Sequence, residues 1–271
     1  MSADRDPSSE LTRKQRRERA REERRAHEAA LVRAAATRRR LRVAGGVTSV
    51  GITALAVVLV ATGGGSGATV SEARSKAHLK LAPLASLGSL RAAGAPGPRG
   101  PEGVPIPAAQ PAATTATIAH GQNVDGIQCS GSEQTLFHIH AHLTIFVDGV
   151  ARQVPMGIGI PDAVSENTPE GPFVASGTCF YWLHTHAADG IIHIESPVER
   201  VFTLGDFFDE WGQPLGPDRV GSANGPVTAI YNGRRDKGDP RDIPLTAHAQ
   251  IQLEVGRPLV APAKIEFPNG L

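Results

Sequence analysis

Histidines alternate with apolar residues in one segment of the chain, and this alternation restricts the local fold more than any other pattern in the sequence. His138, His140 and His142 are separated by single apolar residues, and apolar residues continue to Val147. Because successive side chains of a β-strand point to opposite faces, the three imidazoles are predicted to share one face. The other face is predicted to cover a hydrophobic core.

A second histidine cluster surrounds a predicted hairpin turn. His184 and His186 precede Asp189–Gly190, and His193 and Glu195 follow it. Asp-Gly between two strand-like runs favours a two-residue turn, which would place His186 opposite His193 and His184 opposite Glu195. A four-residue loop would instead pair His184 with His193 on the same face, and a bulged three-residue loop could break the arrangement.

Six of the ten histidines lie between residues 138 and 193, and this density indicates a metal site. Neutral imidazole is the commonest protein ligand for zinc, copper and related ions, so a copper(II) or zinc ion is the predicted cofactor. The alternative interpretation is a histidine-rich surface or a set of hydrogen-bonded core imidazoles. The predicted metal ligands are His140, His142, His184, His186 and His193, with His138 and Glu195 as further candidates.

An uncharged run near the N-terminus predicts a membrane anchor. Residues 43–62 contain no charged side chain, and about 20 such residues span a bilayer as a transmembrane helix. Residues 1–42 carry 14 of the 28 basic residues, so this segment is predicted to be cytoplasmic and the rest exocytoplasmic. The predicted location is therefore the cell membrane, with a single pass and with lipid as the partner of the anchor. A cleaved signal peptide is the alternative, and no nucleic-acid recognition motif accompanies the basic residues.

Both cysteines of the chain lie a few residues before a histidine cluster. Cys129 precedes the first cluster and Cys179 precedes the second. Since disulfides persist outside the cytoplasm, a Cys129–Cys179 disulfide is predicted. The alternative is a thiolate ligand at Cys179, as in a blue-copper centre, but the usual Met shortly after the Cys is missing.

The residues after the anchor divide by composition into a spacer and a folded domain. Residues 63–116 are rich in Pro, Gly and Ala and have little to bury, so a flexible, disordered spacer is predicted. Residues 117–271 are long enough to bury a core of their own. Dipeptides such as Asp148–Gly149 and Asn232–Gly233 between apolar runs are typical of β-hairpins.

One short helix interrupts the strand patterns of this domain. Thr203 can cap a helix that begins at Leu204, and Gly212 can end it after Trp211. The predicted fold is therefore mostly β: an antiparallel β-sandwich or small barrel with one short helix.

The histidine motifs resemble those of a known group of proteins. The sequences Phe137-His-Ile-His-Ala-His-Leu143 and Leu183-His-Thr-His186, followed by Gly190-Ile-Ile-His-Ile-Glu195, are similar to motifs of an uncharacterised family of membrane-anchored, histidine-rich exocytoplasmic domains of bacteria and archaea. The similarity runs from about Gly126 to Gly256. It implies a shared fold and a shared site, and it implies no particular function.

These features together predict a membrane-tethered exocytoplasmic protein that captures, buffers or delivers copper(II) or zinc, with an envelope metalloprotein as a candidate partner. Two alternatives stay open. A metal-dependent enzyme, redox or hydrolytic, would use the histidine cluster with Glu195 as a general base. A cell-envelope interaction module would hold a structural metal ion.

Overall fold

The computed structural model describes residues 79–114 and 120–271, which belong to one compact unit. The predicted cytoplasmic segment 1–42 and the predicted transmembrane helix 43–62 lie outside these residues. Within the described ranges, no helix has the length and apolar character needed to cross a membrane.

The described residues form one α-helix, α1 (Leu204–Trp211), and two 3-10 helices, Leu84–Leu87 and Pro240–Asp242. In chain order the strands are β1 (Leu81–Ala82), β2 (Cys129–Ser130), β3 (Phe137–Val147), β4 (Val150–Arg152), β5 (Val164–Thr168), β6 (Gly171–Ser176), β7 (Phe180–Tyr181), β8 (Leu183–His184), β9 (Ile191–Ser196), β10 (Phe202–Thr203), β11 (Leu215–Gly216), β12 (Arg219–Val220), β13 (Ala223–Asn224), β14 (Val227–Tyr231), β15 (Arg234–Asp236), β16 (Pro244–Leu245) and β17 (Gln250–Val255). A mostly β fold with one short helix, as predicted, is confirmed.

One mixed eight-stranded sheet contains the histidine strands. Its order is β1-β15-β14-β17-β3-β9-β8, and β4 also pairs with β3. The remaining strands form four smaller sheets: β10-β16, β11-β12-β13, β2-β7 and β5-β6. The sheets of the described residues do not close into a barrel.

The prediction of a wholly antiparallel sheet is wrong at one pair of central strands. β17 runs parallel to β3, with Leu253 opposite Ile145, whereas β3 pairs antiparallel with β9. Apolar alternation indicates which face of a strand is buried, but it carries no information about the direction of the neighbouring strand. The direction of β17 depends on the path of the long connection between the two strands.

Strand β3 is buried on both faces. Ala141, Leu143 and Ile145 are at most 1% exposed and belong to the main hydrophobic core. The histidine face is covered as well, since His140 and His142 are 4% and 5% exposed. Because buried imidazoles need hydrogen-bond partners or a bound ion, this face must contain further polar groups.

Helix α1 begins and ends at the predicted residues. The Thr203 side chain accepts from the backbone N–H of Asp206, and the Asp206 side chain accepts from the backbone N–H of Thr203, which together form a capping box. Gly212 follows the helix in the left-handed conformation, with φ 69°. The large apolar side chains of the helix are buried in the main core.

Part of the segment that was expected to be a disordered spacer is packed against the β-sheet domain. Strand β1 pairs with β15, and Arg91 forms a bridge with Val260. Val104 is fully buried. A Cβ atom at Gly97 would lie 1.6 Å from the carbonyl oxygen of Ile106, so glycine permits a close backbone contact there. The structure thus differs from the expectation over residues 79–114, because backbone pairing, close glycine contacts and a few buried apolar side chains, such as Leu87 and Val104, hold the segment in place.

Candidate metal centre

Strands β3 and β9 bring four candidate ligands together on one face of the main sheet. They pair antiparallel, with His138 opposite Glu195 and His140 opposite His193. Directly opposed residues share a face, and so do residues two positions apart in one strand. The register therefore places two opposed pairs of ligands side by side.

These four residues, His138, His140, His193 and Glu195, are called the first group below, and they could hold a metal ion. Nε2 of His140 is 3.1 Å from Nε2 of His138 and 3.1 Å from Nδ1 of His193. Oε1 of Glu195 is 3.1 Å from Nε2 of His138 and 3.3 Å from Nδ1 of His193. Ligand atoms bound to a tetrahedral zinc ion lie about 3.3–3.4 Å from one another, so the observed separations are close to those of a metal cage.

Strand β8 adds His184 in a register that differs from the predicted hairpin. A two-residue turn at Asp189–Gly190 would place His184 opposite Glu195, but the structure pairs His184 with His193. This register is the one expected for a four-residue loop, although the connection observed is longer and includes residues 185–190. His184 nevertheless lies on the predicted face of the sheet, the same face as His193.

Backbone hydrogen bonds to other segments explain the longer connection. Thr185 donates its backbone N–H to the carbonyl of Ile158 and its hydroxyl to the carbonyl of Pro155. Val174 of β6 donates its N–H to the carbonyl of His186. The Asp-Gly signal describes a local backbone preference, and these long-range bonds override it.

His184, His186 and His193 are called the second group, and they too could hold a metal ion. Nδ1 of His184 donates to the carbonyl of Tyr181 at 2.8 Å, and Nδ1 of His186 donates to the carbonyl of Val174 at 2.6 Å. Because a carbonyl oxygen can only accept, both Nδ1 atoms carry a proton, and each neutral ring presents an Nε2 lone pair. These two Nε2 atoms are 3.1 Å apart.

Two facing lone pairs at this distance repel each other unless a proton or a metal cation lies between them. A proton is disfavoured, because burial, followed by the charge of His193, lowers the pKa of both His184 and His186. Hydrogen bonds from ring Nδ1 to backbone carbonyls are also the usual means of orienting histidine ligands. His184 and His186 of the second group therefore have the ring orientation that is usual for histidines that bind a metal ion.

Two glutamates that the sequence analysis did not single out join the histidines. Oε1 of Glu133 is 3.4 Å from Nε2 of His186, and Oε1 of Glu102 is 2.6 Å from Nε2 of His193. Glu133 also forms, with His184 and Glu195, a third group that could hold an ion. The position of Glu133 just after Cys129 was a usable signal, because a disulfide to Cys179 brings it near the second cluster. No sequence pattern marks Glu102.

Two unpaired carboxylate oxygens give the cluster further acceptor atoms that have no donor. Oε2 of Glu102 and Oε2 of Glu195 are buried, and neither has a hydrogen-bond partner among the described residues. A buried acceptor without a partner is costly, and more so when the group is charged. A cation in the cluster would compensate both oxygens.

The two acidic partners of His193 determine its charge state. Burial lowers the pKa of His193, but the hydrogen bonds and charges of Glu102 and Glu195 outweigh burial and raise it to about 9. Burial likewise raises the pKa of Glu195, while the hydrogen bonds from His138 and His193 outweigh it and lower the pKa overall. Without a metal ion, His193 is therefore a buried imidazolium held between carboxylates at neutral pH.

The structure places His142, which was predicted to be a ligand, outside all three groups. Its Nε2 donates to the carbonyl of Asp189 at 2.8 Å, and the hydroxyl of Thr144 lies 3.4 Å from its Nδ1. Strand parity correctly predicted the face, but the loop at Gly190 lies directly against this ring. His142 is a hydrogen-bonded buried histidine, and burial lowers its pKa to about 4.

Aromatic rings cover the second group. The ring of Phe173 stacks on His186 with centroids 4.8 Å apart, and Phe180 contacts His184 edge-on at 5.7 Å. His184 and His186 are 0% and 3% exposed, whereas the side chain of His138 is 38% exposed. The cluster therefore opens towards solvent at His138 and at Glu133, whose side chain is 43% exposed.

The predicted disulfide between Cys129 and Cys179 is present. The Cα atoms are 5.4 Å apart, and the bond closes a loop with a sequence separation of 50. It lies beside the pairing of β2 with β7, where Cys129 is opposite Tyr181. The thiolate alternative is excluded in this structure, since both sulfur atoms are in the disulfide.

No protein-family model, curated protein or solved structure matches the chain. The functional interpretation therefore depends on the geometry of the cluster itself.

Proposed function

We propose that this protein binds copper(II) or zinc through the histidine–glutamate cluster and that it captures, buffers or delivers the metal at the outer face of the cell membrane. The observation that carries the proposal is the pair of facing Nε2 atoms of His184 and His186. Both rings donate Nδ1 to carbonyls, and the Nε2 atoms lie 3.1 Å apart. A metal cation is the partner that such a pair of acceptors lacks.

The composition of the donors supports the choice of metal. Five imidazoles and several carboxylates suit zinc and copper(II), because both ions bind imidazole nitrogen and carboxylate oxygen. Both cysteines are in the disulfide, and only two methionines occur in the chain. Soft sulfur ligands for copper(I) are therefore missing from the cluster.

Burial and the number of candidate ligands favour a binding role over a catalytic one. A catalytic ion needs an open coordination position next to a substrate pocket. Two cavities of about 370 and 410 Å³ border His142, but their linings within the described ranges include no member of the three groups. The cluster is thus better suited to holding an ion than to presenting it to a substrate.

The proposed location follows from the sequence. The uncharged run 43–62 and the basic residues before it support a membrane anchor with the histidine domain outside. A disulfide agrees with an exocytoplasmic location, because the cytoplasm keeps thiols reduced.

Metal titration of the full chain, purified in detergent and stripped with a chelator, tests the proposal. Zinc and copper(II) should each bind tightly, and a variant that combines His140→Ala with His186→Ala should weaken binding by at least the roughly 10-fold that removal of even an outer-shell partner of a ligand typically costs. The matched control is His120→Ala, because His120 is exposed and lies outside the groups. Equal affinity in the unaltered chain, the combined variant and the control would overturn the proposal.

A further inference from the structure

The cluster contains more candidate ligands than one ion can use. Zinc and copper(II) in protein sites take four or five ligands. The three groups together with the glutamate that contacts His193 make up eight side chains: Glu102, Glu133, His138, His140, His184, His186, His193 and Glu195. A single tetrahedral ion would leave about half of these groups without a partner.

Resting on the proposed metal-binding function, we propose that the cluster holds two metal ions that share the imidazole of His193 as a bridging ligand. His193 is the residue common to the first and second groups. The first group consists otherwise of β3 and β9 side chains, and the second of side chains at and just after β8. His193 lies between them because it is opposite His140 on one side and opposite His184 on the other.

The two nitrogens of His193 have different partners. Nδ1 faces the first group, at 3.1 Å from Nε2 of His140 and 3.3 Å from Oε1 of Glu195. Nε2 points away from these atoms and donates to Oε1 of Glu102 at 2.6 Å. The two ring nitrogens of an imidazole point in nearly opposite directions, so one ring can bind one ion through each nitrogen.

Ring contacts place both remaining histidines of the second group against the ring of His193. His186 lies edge-on to His193 with centroids 4.6 Å apart, and His184 stacks on His193 at 5.3 Å. Because Nδ1 of His193 faces the first group, an ion bound by the Nε2 atoms of His184 and His186 takes the other nitrogen, Nε2, as its third nitrogen ligand. Both ring protons of His193 leave to solvent, the Nδ1 proton when the first ion binds and the Nε2 proton, shared with Glu102, when the second ion binds. The Glu102 carboxylate then becomes available as a fourth ligand.

Metal content after equilibrium dialysis of the full chain against zinc or copper(II) tests the bridge. The unaltered chain should retain two ions. His140→Ala should retain one, because it removes a ligand of the first group, and His186→Ala should retain the other. His142→Ala is the matched control: it removes a buried histidine from the same strand as His140, and it should retain two ions.

His193→Phe tests the shared ligand itself, since phenylalanine keeps an aromatic ring at this buried position. It should retain fewer ions than either single-group variant, or bind both more weakly by at least the roughly 10-fold that removal of an outer-shell partner typically costs. In the copper(II) form, two ions joined through one imidazole are magnetically coupled, so the electron paramagnetic resonance signal per copper should fall when the second equivalent binds. That fall should be absent in His140→Ala, where one ion remains.

The outcomes separate this inference from the proposed function. One ion in the unaltered chain, lost in both His140→Ala and His186→Ala, means a single centre, which overturns the bridge and leaves metal binding intact. Two retained ions with an undiminished signal per copper, or two tightly bound ions in His193→Phe, also overturn the bridge. No retained ion in the unaltered chain overturns the proposed function itself. Circular dichroism of each variant identifies any that has lost the fold, and the signal test on the unaltered chain does not depend on a substitution.

Discussion

Nε2 of His140 lies 3.1 Å from Nδ1 of His193, although the two residues are 53 positions apart in the chain. The pairing of β3 with β9 places them directly opposite each other. Both rings are buried, so the contact is not a chance meeting of surface side chains. From this contact the cluster extends to His138 and Glu195 on one side and to the histidines of the second group on the other.

Replacing Gly97 with alanine should loosen the segment that contains Glu102. The added Cβ would lie 1.6 Å from the carbonyl oxygen of Ile106, so the backbone must move apart. Limited proteolysis should then cleave within residues 91–107 faster than in the parent protein. Gly94→Ala is the matched control, because nothing lies within 4 Å of the added atom. Equal cleavage of the two variants would show that this segment is not held by the close contact.

Replacing Glu102 with glutamine should lower the pKa of His193 in the metal-free protein. Burial lowers this pKa, and the hydrogen bond to Glu102 is the largest of the contributions that outweigh burial and raise it to about 9. Glutamine keeps the size of the side chain and removes its charge. Nuclear magnetic resonance titration of the His193 ring measures the change, with Glu170→Gln as a control at an exposed glutamate. An unchanged pKa would mean that Glu102 does not contact His193 in solution.

Acid should destabilise the metal-free protein. Burial lowers the pKa of His140 to about 3 and of His142 to about 4, and it also lowers those of His184 and His186. In the unfolded chain these rings titrate near 6.5. Since the unfolded chain binds protons that the folded chain excludes, this stability is present above about pH 6.5 and is lost as the pH falls towards 4.

Each of these histidines contributes a slope of up to about 1.4 kcal/mol per pH unit in that range. The pKa of His193 is raised instead, so its contribution is present below about pH 6.5 and is lost as the pH rises through 9. Thermal unfolding in the presence of a chelator should therefore show a melting temperature with a maximum at about pH 6.5 that drops at both lower and higher pH. A melting temperature that stays level down to pH 4 would contradict the burial of the four rings.

Removing the disulfide with the pair Cys129→Ser and Cys179→Ser should destabilise the domain by about 4 kcal/mol. The estimate is the loop-closure entropy for a loop of this length. Urea unfolding of the variant and of the parent measures the difference. The reduced parent is the control, and it should unfold at the same urea concentration as the variant. A variant as stable as the oxidised parent would show that the bond does not restrict the unfolded chain as expected.

The local features of the fold were predictable because short sequence patterns determine them. The alternation around His140 predicted β3, and Thr203 as the capping residue predicted the start of α1. The positions of the two cysteines, together with the expected compartment, predicted the disulfide. The signals for β3 and α1 depend on residues close together in sequence. The disulfide depends on the pairing of the two cysteines that the chain contains.

The remaining features depend on long-range packing that no local pattern encodes. His142 shares a strand face with His140, but a loop residue, Gly190, occupies the space beside it. Glu102 reaches His193 through a segment whose composition favours disorder. The register of His184 depends on backbone bonds from Thr185 to a distant segment. Parity therefore predicted the face of the site, but it could not predict the complete set of ligands.

X-ray absorption at the zinc edge is the most direct test of the central claim, that the histidine–glutamate cluster binds the metal. The full chain loaded with one equivalent of zinc should show mostly nitrogen and oxygen ligands at about 2.0–2.1 Å, with the outer-shell scattering that imidazole rings produce. The same spectrum should lose imidazole scattering in a variant that combines His140→Ala with His186→Ala. A spectrum of six oxygen ligands without imidazole scattering in the unaltered chain would contradict the claim.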